Sequence, residues 1–83
     1  MKRSFPIMVE FEEAPDYVDI FTMEEFIEAV KNDEIMDCDG IGYLAKIDDT
    51  GKIWESKLLV DSFYVSWFKR QSKDFTHICW YNK

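Results

Sequence analysis

Near the C-terminus, His77-Ile78-Cys79 places an imidazole and a thiol two residues apart, the groups from which a cysteine nucleophile and its base are built. On a strand, residues i and i+2 share a side but lie about 6.6 Å apart, beyond hydrogen-bond reach. The spacing therefore speaks for a core thiol beside a sheet-surface imidazole. Together with Cys38 and Asp37 or Asp39, the same groups would make up a zinc ligand set. Structural zinc sites bring paired cysteines at short spacing, and Cys38 and Cys79 are not such a pair. Asp37-Cys38-Asp39-Gly40 hints at a calcium loop. With Gly40 at the sixth position, however, Ile35 and Lys46 fall where the first and twelfth ligands must be acids. Neither a phosphate-cradling glycine loop nor a dinucleotide fingerprint is present. The expectation is a protein with no catalytic residues, no metal and no cofactor.

Asp49-Thr50-Gly51 resembles the short signature of the aspartic proteases, in which the acid follows apolar residues on a buried strand. Here it follows Asp48 and precedes Lys52, and the four residues from Asp48 read as a hairpin turn in which Gly51 supplies the left-handed position.

The chemistry that stands out is charge. The chain carries a net charge of −7, but residues 10–39 hold twelve acids against the single base Lys31, whereas the segments on either side are mildly basic. Helix stability does not account for this. Glu24 and Glu25 suit the positive end of a helix dipole, but Glu24 and Glu28 form a like-charge i, i+4 pair. Crowded within a screening length of about 8 Å, such carboxylates act together. A second grouping is Trp67-Phe68-Lys69-Arg70 with Lys73, Phe75, His77, Trp80 and Tyr81, aromatics interleaved with bases. That pattern suits base stacking and phosphate contact, and equally the core and charged hairpin ends of a small domain.

The 83 residues make one domain, residues 1–83, and a chain this short needs large side chains to build a core. It has 3 Trp, 4 Tyr and 7 Phe, with few glycines and prolines, a folded composition. Two cysteines are too few for the disulfide framework of a small secreted domain, and free thiols are expected. The apolar run from Phe5 to Val9 is too short for a signal-peptide core or a membrane span. A cytoplasmic protein without membrane contact is expected.

The elements follow from periodicity. Phe5, Ile7, Val9 and Phe11 alternate with polar or irregular positions as a first strand, and a polar connection runs from Glu12 to Asp19. Thr22 with Glu25 spells a capping box, and Phe21 with Phe26 a hydrophobic staple. Together they open a helix from Met23 to Lys31 or Asn32. Strands are expected over 41–47 and 52–60. The segment Lys57–Arg70 is ambiguous between strand and helix, since a helical period leaves it no polar face. Its aromatic and β-branched residues tip it to strand, which gives a second hairpin, Phe63–Arg70 and Phe75–Asn82, around Gln71-Ser72-Lys73-Asp74. The class is α+β: a single helix packed on a four- to five-stranded, mainly antiparallel sheet, in the order β-α-β-β-β-β. One helix covers one sheet face, so the aromatics of the other face await a partner or the N-terminal loop.

In size, acidity and α+β outline the chain is similar to small phage-encoded inhibitors of host defence, including anti-CRISPR-type proteins, a resemblance of general character. No residues carry over from it, but it favours the reading that the clustered charge itself suggests, a non-enzymatic inhibitor that imitates nucleic acid. Glu24, Glu25, Glu28, Asp33, Glu34, Asp37 and Asp39 would enter the basic groove of a protein partner, Trp67 and Trp80 would anchor it, and nucleic acid itself would not bind. The chain would act as a monomer or homodimer. The alternatives are a regulatory module that docks through an aromatic sheet face, and a nucleic-acid or nucleotide-binding domain.

Overall fold

A computed structural model of the chain describes residues 8–11 and 13–82. Five strands form one antiparallel sheet: β1 (Val9–Phe11), β2 (Val18–Thr22), β3 (Gly40–Ile47), β4 (Ile53–Leu59) and β5 (His77–Asn82), in spatial order β1-β4-β3-β5-β2. Two helices, α1 (Met23–Lys31) and α2 (Val65–Gln71), pack on one face. The class is α+β, as the sequence indicates; the order is β-β-α-β-β-α-β, with a second helix where a strand was expected.

The start of α1 obeys its local signals. Thr22 is extended, its hydroxyl accepts the Glu25 amide at 3.0 Å, and the Glu25 carboxylate accepts the Thr22 amide at 2.8 Å. The Phe21 and Phe26 rings lie 5.6 Å apart, closing the staple. The helix ends in a Schellman arrangement: the Glu34 amide donates to Ala29 and the Asp33 amide to Val30, with Asp33 in the left-handed region at φ 57°.

The segment between Val18 and Thr22 is strand rather than connection. Val18 and Ile20 face one way and Asp19 and Phe21 the other, with Val18 opposite Tyr81 and Thr22 opposite His77. Because Thr22 both ends β2 and caps α1, no turn residue marks the junction. The segment Val65–Gln71 is helix rather than strand. Ser66, Lys69, Arg70 and Lys73 are exposed at helical spacing while Phe68 is fully buried, so a solvent face exists once the window excludes β4. Of the expected first strand, Val9–Phe11 is strand; Phe5, Pro6 and Ile7 lie outside the described residues.

In the hairpin between β3 and β4, Gly51 takes the left-handed conformation at φ 88°. Asp48 organises the turn. One carboxylate oxygen accepts the Thr50 hydroxyl at 2.6 Å and the Thr50 and Lys52 amides, and the other accepts the Trp54 indole at 2.6 Å. These bonds, the Thr50 hydroxyl first and the Trp54 indole next, hold the Asp48 carboxyl well below the usual carboxylate range. A depressed folded pKa stabilises fully above the unfolded value, about 3.9 for aspartate, and that stabilisation is lost as pH falls through the folded value. Asp48→Asn is therefore expected to destabilise at neutral pH, with a gap to wild type that narrows in acid; urea unfolding at about pH 6 and about pH 3 measures it.

Further along, β4 bulges. Ala45 faces Glu55 but Tyr43 faces Leu59, and the buried Ser56 hydroxyl accepts the Leu58 amide at 3.1 Å inside the bulge. The core lies between sheet and helices: Met23, Phe26, Leu44, Val60, Phe68, Phe75, Ile78 and Trp80. Gly40 and Gly42 let the Trp80 ring lie against β3, since a Cβ at either would meet that ring at 2.9–3.0 Å.

Candidate partner-binding surfaces

The register fixes where each expected site residue stands. β2 runs from the Asn82 end of β5 to its His77 end, where α1 begins and turns back along the sheet. Glu24, Glu25 and Glu28 thus flank the His77 end. Asp33 and Glu34 follow the helix, and Asp37 and Asp39 sit in the 3-10 turn leading to Gly40, which pairs with Asn82 at the opposite end. All seven side chains are exposed. They do not converge on one spot but string out along α1, about 13 Å at 1.5 Å per residue, and round the sheet's end.

None of the seven is neutralised by a base among the described residues, where the ion pair present joins Lys52 to Glu10 on the far side of the sheet. The local bonds are weaker: the Asn32 amide reaches Glu28 and Glu34 at 3.4 Å each, and Asp39 accepts the Met36 amide at 3.0 Å. Thr22, through its amide and then its hydroxyl, holds the Glu25 carboxyl below its usual range.

The aromatic anchors are placed otherwise than expected. Trp80 is 2 % exposed and packs against Phe26 and Phe63, because the alternation of β5 turns it under the helices. It is core and offers no surface to a partner. Trp67 is half-buried, packed on the core with its ring against Phe68. Phe68 and Phe75 are buried as well, so of this grouping it is Lys69, Arg70 and Lys73 that stand exposed at the end of α2.

The other sheet face carries no helix. Its inner residues Val18, Ala45 and Cys79 are buried beneath Phe11, Ile20, Ile53 and Tyr81. Around them Val9, Tyr17, Ile41 and Leu59 are exposed, Tyr17 by 70 %. In their midst is a carboxylate that sequence spacing does not single out. Glu55 accepts the Tyr81 hydroxyl at 2.7 Å. Burial, and then that bond, push the Tyr81 phenol above its usual range.

His77 and Cys79 share this face without contact: the His77 Nδ1 lies 2.8 Å from the Thr76 hydroxyl, and the Cys79 thiol is buried. Burial first, then the Glu55 charge and a hydrogen bond to Glu55, push that thiol up to about 12. Cys38 is exposed, and both cysteines are free. Among the described residues, no group of His, Cys, Asp and Glu side chains is arranged to hold a metal ion, and no helix is long and apolar enough to cross a membrane. No family model, curated protein or solved structure matches this chain.

Proposed function

We propose that the chain is a non-enzymatic inhibitor or regulator that lays the α1 acidic band into the basic groove of a nucleic-acid-processing protein, in the manner of small phage-encoded anti-defence proteins. One observation supports this reading: seven exposed carboxylates follow one another along α1 and round the sheet's end, no Lys or Arg forms an ion pair with them among the described residues, and several of them stand where helix stability does not ask for an acid. Asp33 takes a left-handed position that glycine occupies at less cost. Together with Glu34 it crowds the negative end of the α1 dipole. Glu24 and Glu28 repel each other one turn apart. Selection for stability alone would not assemble such a set. A row of exposed carboxylates presents a groove with the charge it is built to hold, one negative charge per roughly 3.4 Å along each strand of a duplex. The test removes the charge and keeps the helix. Glu24→Lys and Glu28→Lys with Glu25→Gln, which can still close the capping box, should abolish partner binding. Unchanged affinity in that variant would overturn the reading.

A further inference from the structure

The uncovered sheet face holds a second kind of site. Ile41, Tyr43, Glu55 and Tyr81 line an open hollow of about 370 Å3. The Tyr43 and Tyr81 rings meet nearly at right angles, 87° with centroids 5.8 Å apart, and so form two walls of a corner. The Tyr17 ring extends the wall, its centroid 5.7 Å from that of Tyr81. The half-buried Glu55 carboxylate sits at the foot of the corner. One of its oxygens accepts the Tyr81 hydroxyl, and among the described residues no Lys, Arg or His pairs with it. Lys57 lines the adjoining groove, with Val9 and Leu59, without reaching the carboxylate.

A half-buried carboxylate with no ion-pair partner among the described residues, walled by electron-rich ring faces, is complementary to a cation. We propose that this hollow receives the guanidinium of an arginine side chain presented by a partner protein, stacked on a tyrosine ring and paired with Glu55. Arginine fits better than lysine: its planar group lies flat on an aromatic face, is weakly hydrated, and offers a fork of donors to the carboxylate, whose present partners are the neutral Tyr81 hydroxyl and Cys79 thiol. The site lies across the sheet from α1, so it stands or falls independently of the acidic band.

The test titrates the intact chain with N-acetyl-arginine amide, N-acetyl-lysine amide and N-acetyl-citrulline amide, the last a neutral isostere, while following the Tyr43 and Tyr81 ring resonances by NMR. The arginine probe is expected to give a saturable, millimolar shift confined to these rings and Ile41, at least about fivefold tighter than the other two probes. Glu55→Gln, which retains an acceptor for Tyr81, and Tyr43→Leu, which retains apolar bulk, should each weaken it at least about fivefold. The α1 variant Glu24→Lys, Glu25→Gln, Glu28→Lys should bind the probe like wild type. The absence of a saturable shift, equal binding of lysine or citrulline amide, or full binding by folded Glu55→Gln and Tyr43→Leu chains would overturn the proposal.

Discussion

Replacing Phe26 by alanine is expected to leave little of the fold standing at physiological temperature. Phe26 is wholly buried, and its ring touches those of Phe21, Phe63, Phe68 and Trp80, which come from β2, the loop before α2, α2 and β5. Truncation removes a side chain that joins both helices to the sheet and leaves a cavity. Phe→Ala changes in cores cost about 3–5 kcal/mol, against a total stability on the order of 4–12 kcal/mol for a domain of this length. With about 4–8 °C per kcal/mol, the midpoint should fall by roughly 12–40 °C. Thermal unfolding followed by circular dichroism measures it. A shift of a few degrees would show that the helices do not depend on this contact.

The second large effect falls on binding. Reversing Glu24 and Glu28 and neutralising Glu25 turns three attractive contacts with a basic groove into two repulsive and one lost. Like charges placed together across an interface are strongly penalised, and a loss of roughly a hundredfold or more is expected. Because the three side chains are exposed, the variant should keep the wild-type circular dichroism spectrum. The Thr22 cap remains, while the helix-dipole contribution of Glu24 and Glu25 and the long Asn32–Glu28 hydrogen bond are lost, a small change against the stability of the whole domain. Isothermal titration against the partner separates the two quantities, since stability and affinity should move independently. A loss of binding that followed a loss of fold would instead mark these residues as structural.

What was legible in the chain was local. The capping box at Thr22 and Glu25, the Phe21–Phe26 staple and the Asp48–Gly51 turn each rest on partners a few residues apart, so spacing alone specifies them. The alternation of β5 likewise assigns Ile78 and Trp80 to one face and Cys79 and Tyr81 to the other. α2 was misread because its aromatics and β-branched Val65 favour strand intrinsically, while packing of Phe68 and Trp67 beneath α1 settles on helix. β2 was missed because it is short, includes Asp19 and passes into α1 without a break; its partner β5 lies at the other end of the chain. The hollow was illegible for the same reason. Tyr17, Tyr43, Glu55 and Tyr81 belong to four separate segments, and only the strand register brings them together. Trp80 failed as a surface residue because a large aromatic on a central strand of a small sheet is the side chain that core formation claims first.

The decoy reading makes one demand that no ordinary acidic surface meets: the chain and nucleic acid must exclude each other from the same groove. Duplex DNA titrated into the complex of this chain with its nucleic-acid-processing partner, followed by fluorescence anisotropy of the labelled chain, tests this directly. The expected result is full displacement, with the apparent dissociation constant of the chain rising in proportion to DNA concentration and no binding of the chain to DNA alone. A ternary complex in which DNA and chain occupy the partner together at undiminished affinity would contradict it.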